Sequence, residues 1–100
     1  MQDNDLLAGL IRLHILHHAS EEPLFGLWII EELGRHGYKL SPGTLYPVLH
    51  GLEAKGYLSS TTKKQGGIYR RMYRITARGR RALNVAKEKV RELFGEMFEE

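Results

Sequence analysis

Ten of the fifteen Lys and Arg residues fall in one interval that holds no carboxylate. Between Glu53 and Glu88 stand Lys55, Lys63, Lys64, Arg70, Arg71, Arg74, Arg78, Arg80, Arg81 and Lys87, with Tyr69 and Tyr73 interleaved. Cations this dense and this one-sided are suited to a polyanion, because each phosphate they neutralise releases condensed counterions. The plainer alternative is a solvated basic surface. Catalytic chemistry is poorly supplied by comparison. There is no Cys, Asp3 and Asp5 are the only aspartates, and neither a GxSxG sequence nor a phosphate-binding glycine loop is present. The chain is not expected to be an enzyme.

A second grouping is His14, His17 and His18, at i, i+3 and i+4. That spacing can gather imidazoles around a metal, with a fourth ligand from Glu96 or Glu99 of a partner helix. Histidines on a mostly buried helix more often meet backbone or a carboxylate, so no metal ligand and no cofactor is assigned. Unchanged thermal stability on adding zinc, nickel or cobalt would retire the metal-sensor alternative.

A chain of 100 residues, 42% hydrophobic and 27% charged, has material for one core. Its net charge of +3 is too mild to name a partner; the distribution carries the information. The absence of Cys excludes disulfide scaffolds and thiolate zinc sites. The opening MQDNDLLAGL has acids where a signal peptide needs lysines, and no apolar run approaches a membrane span. A cytoplasmic protein with no membrane partner is expected.

The elements that must carry these residues follow from periodicity and caps. Asn4 or Asp5 can cap a first helix reaching about Ala19, apolar nearly all round and therefore covered on more than one side. Ser20 to Pro23 reads as a break and then a helix start, with Glu21 and Glu22 near its positive end. That second helix carries Gly26, Ile29, Ile30 and Leu33 on one face and ends at His36-Gly37. In the third, Leu45, Val48, Leu49 and Leu52 make one buried stripe. Its start is either Ser41 as cap with Pro42 first, or Thr44 as cap, which would place Pro47 where no intrahelical donor is needed. Extended segments over 57–62 and 68–75, separated by Lys63-Lys64-Gln65-Gly66-Gly67, read as a hairpin with Tyr73 and Ile75 on the core face. Thr76 caps a last helix with Leu83, Ala86, Val90, Leu93 and Met97 spaced 3-4-3-4, a heptad pattern widened by Phe94 and Phe98.

Three helices, a two-stranded wing and a helix give a mainly α fold: a winged helix-turn-helix over 1–76 and a dimerisation helix over 77–100. On the third helix Ser41, Thr44, Tyr46, Pro47 and His50 are the candidates for double-stranded DNA. None is an Arg or Asn making a bidentate base contact, so shape and phosphates should carry much of the specificity. Lys63, Lys64, Arg70 and Arg71 of the wing suit phosphate or minor-groove contact. Arg78, Arg80 and Arg81 oppose the dipole of the last helix, either for an anionic partner or as ordinary solvated arginines. The apolar excess of the first and last helices assigns a homodimer interface to Leu6, Leu10, Leu13, Leu83, Val90, Leu93, Phe94 and Met97. With no separate ligand domain, any small-molecule effector should sit between subunits near those helices. Trp28, off the Gly26/Ile29/Ile30/Leu33 face, is the candidate pocket residue, against the reading that it simply covers the core.

The segment from Gly37 to Leu58, GYKLSPGTLYPVLHGLEAKGYL, together with Pro23-Leu-Phe-Gly and Tyr73-Arg-Ile-Thr76 followed by Gly79, resembles the PadR family of transcriptional regulators. The resemblance runs over nearly the whole chain. It implies a bacterial or archaeal homodimeric repressor whose last helix packs on the partner's first helix, an inverted-repeat operator, and in some members induction by small molecules; for this chain phenolic acids, hydrophobic drugs, a metal or no ligand at all remain open. Two positions depart from the pattern: Ile68-Tyr69 stands where an Arg-Pro pair is usual, and Trp28 where a polar residue is common. The remaining alternative is a winged helix used for protein contact, against which the one-signed basic segment argues.

Overall fold

In a computed structural model, which describes residues 4–99 with side chains from Leu6 onward, the apolar opening run forms α1 (Asn4–Glu21). The expected caps Asn4 and Asp5 thus lie outside the described side chains. Ile11, Ile15, Leu16 and Ala19 are buried, and they form the floor on which the other elements pack.

The chain then departs from the sequence reading. Leu24–Phe25 form a short strand, β1, paired with Tyr73 and Met72, and only then does α2 (Gly26–Arg35) begin. Glu21 therefore ends α1, and α2 has no acid in its first turn and no side-chain cap. A two-residue strand has no periodicity of its own; only its partner strand makes it one.

The turn 36–41 leads to α3 (Pro42–Ala54), whose start is settled by Ser41. The Thr44 amide donates to Ser41 Oγ at 3.3 Å, and Pro42 takes the first position. Pro47 consequently lies inside the helix, where it withholds the N–H that the Gly43 carbonyl would accept. Burial of Leu45, Leu49 and Leu52 holds the helix through that lost bond.

Strands β2 (Leu58–Gln65) and β3 (Ile68–Ile75) pair in register from Leu58↔Ile75 to Gln65↔Ile68, giving an antiparallel sheet of order β1-β3-β2. Lys63 and Lys64 are strand residues rather than loop, because the turn is only Gly66-Gly67. Their φ of 56° and 82° are the two positive values a two-residue hairpin matched to strand twist requires. Thr76 caps α4 (Ala77–Phe98) by accepting from the Gly79 amide at 2.9 Å. The result is the winged helix-turn-helix arrangement followed by a long helix.

Tyr73 is fully buried, as its alternation predicts, but Met72 on the opposite face is buried too, at 8% exposure. It lies between Phe25 and Thr61, so the unforeseen β1 supplies the cover that alternation alone does not show. The Tyr73 hydroxyl is buried with no hydrogen-bond partner among the described residues, and burial pushes its phenol above the ordinary value. Tyr73→Phe is therefore expected to leave stability unchanged or raise it by up to about 1 kcal/mol, since an unsatisfied hydroxyl is removed without a cavity. Denaturant unfolding checks this; a loss beyond about 1 kcal/mol would mean the hydroxyl is bonded in solution.

Candidate nucleic-acid interface

The apolar stripe of α3 points into the core and so turns Thr44, Pro47, His50 and Gly51 outward, all exposed. Ser41 and Thr44 are partly occupied with each other, Ser41 Oγ donating to Thr44 Oγ1 at 3.3 Å. Tyr46 is placed differently from its neighbours. It is half-buried against α2, so close to Gly26 that a Cβ there would meet the phenol oxygen at 2.5 Å. Gly26 is what lets α2 and α3 approach, and the Tyr46 ring is committed to that packing.

The wing stands beside this helix. Tyr46, the first residues of α2, and Tyr69, Arg70 and Arg71 of β3 line one small cleft of about 150 Å³. Across the strands Lys63 faces Arg70, and Lys64 faces Tyr69 with its Nζ 5.6 Å from the ring centroid. Like charges directly opposite are unfavourable. Among the described residues no carboxylate lies within ion-pair distance of Lys63, Lys64 or Arg70. A wing built this way is neutralised only from outside.

Arg71 differs from these three. It donates to Ser60 Oγ at 3.2 Å and lies 3.9 Å from Glu53, which itself accepts from Ser60 at 2.7 Å. The group braces the wing against the end of α3, so Arg71 is not a free cation. Two of the arginines at the start of α4 also have uses within the chain. Arg78 lies over the Tyr57 ring at 5.9 Å, and Arg80 donates to the Ser20 carbonyl at 3.4 Å, near the negative end of α1. Arg81 is exposed.

Between α1 and α4 runs an apolar groove of about 480 Å³ whose lining includes Leu10, Leu13, Val90 and Phe94. Of the residues assigned to a dimer, Leu6, Leu10, Val90, Leu93, Phe94 and Met97 are exposed, and Leu13 is half-buried. Leu83, at 5% exposure, packs in the chain's own core and also lines the floor of this groove. Its heptad position is the same as that of its exposed neighbours, but it falls where α4 still lies on the body. Trp28, the candidate pocket residue, is not among the residues lining this groove; its ring stands edge-on to His18 at 5.5 Å.

The three N-terminal histidines are not gathered as one set. His14 and His18 turn towards His36, at the end of α2, whereas His17 goes with His18 and Glu21. Either trio has ring nitrogens and carboxylate oxygens close enough to share a cation. Burial, then the neighbouring His36, His18 and His17, hold His14 below the ordinary histidine value, against the opposing pull of Glu32. His36 was missed as a candidate because it lies far from the others in sequence and reads as a helix end.

Comparison with known proteins places these features in context. The model of the transcriptional regulator PadR-like family matches residues 15–85. The transcriptional regulator Rv3488 of Mycobacterium tuberculosis is 51% identical over 88 residues, covering 88% of this chain and 82% of that protein. A PadR family transcriptional regulator from Eggerthella lenta superposes with a TM-score of 0.81 at 30% identity, over 95% of this chain and 87% of the other. A PadR-like transcriptional regulator from Bacillus cereus gives 0.81 at 26% identity, over 96% and 98%.

Proposed function

This chain belongs to the PadR-like family of transcriptional regulators, DNA-binding proteins rather than enzymes, and from that premise we propose that it is a homodimeric repressor of an inverted-repeat operator. In this reading Thr44, Pro47 and His50 of α3 enter the major groove, while Lys63, Lys64 and Arg70 hold phosphates beside it. Ser41 supports the helix start, and Tyr46 and Arg71 position the two elements rather than reading DNA. The observation that carries the proposal is the Lys63–Arg70 pair, opposed across the wing with no carboxylate partner among the described residues, Arg70 bordering the same cleft as Tyr46 of α3. The N-terminus of α2, which has no side-chain cap, borders that cleft as well, and the positive end of a helix favours an anion.

The dimer is proposed to form through α1 and α4, where exposed Leu10, Val90 and Phe94 line the groove and Leu93 and Met97 are exposed farther along α4. Pairing about a two-fold axis would match protein symmetry to operator symmetry. A small hydrophobic effector, phenolic acids being one class, would enter where the groove stays open between the subunits. Trp28 fluorescence would report poorly on such binding, because the indole stands elsewhere.

A gel shift on the DNA upstream of the coding region, beside a scrambled duplex at low and moderate salt, tests the proposal. Selective binding that survives moderate salt is expected. His50→Ala should narrow the preference for the operator over the scrambled duplex, at a cost of about 1 kcal/mol for the operator alone. Equal binding to both duplexes by the parent would overturn specific repression. No binding even at low salt would move a protein-contact role to the front.

A further inference from the structure

We propose that His14, His18 and His36, with the carboxylate of Glu32, form a binding site for a divalent transition metal of the zinc, nickel and cobalt class. Each histidine offers one ring nitrogen, and the three lie within 4.8 Å of one another. Tetrahedral zinc with bonds of about 2.0–2.1 Å needs nitrogens about 3.4 Å apart, so the rings must close by about 1 Å or somewhat more. That movement is small for His36, whose side chain is 45% exposed, and the His14 and His36 ring centroids are already 4.9 Å apart. His14 and His18 are one helical turn apart on α1, the i, i+4 spacing that sets two imidazoles on one face to share a metal.

Glu32 supplies what three imidazoles lack. Its Oε2 lies 3.1 Å from His36 Nε2 and 3.7 Å from His18 Nε2, on a side chain only 17% exposed. Arg35 approaches the other oxygen, Oε1, at 3.6 Å, so Oε2 remains turned to the histidines. The carboxylate can complete the coordination or accept a ring N–H and orient an imidazole, both common at such centres. Three nitrogens and one oxygen, with no thiolate in the chain, fit zinc, nickel or cobalt. They do not fit calcium or magnesium, which need more oxygens, or copper(I), which prefers sulfur.

The competing trio, His17, His18 and Glu21, lies along a single helix with His17 and Glu21 exposed, and its Glu21 Oε1 is 3.8 Å from both histidines. The site favoured here instead joins two elements. An ion held by it would fasten α1, which packs on α4, to the end of α2 from which the turn leads into α3.

The test uses the full chain without a histidine tag, stripped with a chelator and titrated with Co²⁺ and then Zn²⁺. Readouts are cobalt absorption in the visible range and the emission of Trp28, the single tryptophan, which lies against His18. One ion per chain is expected, with a rise in melting temperature of about 10 °C or more when free metal is at a hundredfold excess over Kd. His36→Ala should weaken binding more than about tenfold, the least that even an outer partner of a metal costs. His14→Asn should do the same from the other helix, and His17→Ala should change affinity by less than twofold. Metal-free melting of each variant near that of the parent shows that the fold is intact. No binding by the parent, or a loss in His17→Ala that His36→Ala does not share, overturns the site. Duplex binding measured on the same samples separates the two proposals: operator binding without metal binding sinks this one alone, and the converse sinks the repressor alone.

Discussion

Leu93→Asp is expected to turn the proposed dimer into a monomer and to remove the proposed operator binding with it. Leu93 is 50% exposed within one chain, and from Lys87 to Phe98 no residue of α4 is buried. An isolated helical segment of that length is marginal in water, so the second half of α4 needs a partner surface to persist. A partner's α1 would supply one, against Val90, Phe94 and Met97. The substitution removes about half the burial of a leucine, roughly 1 kcal/mol, and places a carboxylate in an apolar seam at a cost of several kcal/mol more. Two-fold symmetry doubles both losses, so the dimer should weaken by at least about 4 kcal/mol, a thousandfold or more. Light scattering measures the mass, and a gel shift measures the consequence for DNA. A dimer of unchanged stability would remove α4 from the interface.

The wing carries the second large effect. Replacing Lys63, Lys64 and Arg70 together by Ala should reduce affinity for every duplex about a thousandfold at moderate salt. It should also flatten the dependence of log affinity on log salt by about 5 for a dimer, six phosphate contacts at about 0.9 each. Folding should survive, because all three side chains are exposed and none pairs with a carboxylate among the described residues. Removing cations that repel across the strands should even help the hairpin slightly. Arg71→Ala makes the contrast, since it breaks the Ser60–Glu53 brace and should lower stability before it lowers the salt slope. An unchanged slope in the triple variant would show that the wing does not touch DNA.

Much of the fold is legible along the chain because its signals act over one or two turns. Leu45, Leu49 and Leu52 announce α3 by their spacing, Thr76 announces the start of α4 by its cap, and Gly66-Gly67 announces the hairpin by its φ requirement. The basic interval was legible for the same reason, as an uninterrupted run. Even the choice between Ser41 and Thr44, open in the sequence, is a local matter that one hydrogen bond decides.

The order of elements, the buried stripes and the region that would meet a polyanion are thus all readable from local sequence. Tertiary structure alone decided which members of that region are free. Arg71 is bound to Ser60 and Glu53, Arg80 to the end of α1, and Tyr46 is pressed on Gly26, whereas Lys63 and Arg70 keep their charges open. It also decided that Leu83 lies in the core while Leu93 does not, and that β1 covers Met72. His36 joins His14 and His18 across two helices by the same means. The physical reason is common to these cases. Periodicity and caps report on neighbours within a few residues, but burial, ion pairing and ligand geometry depend on atoms that only folding brings together.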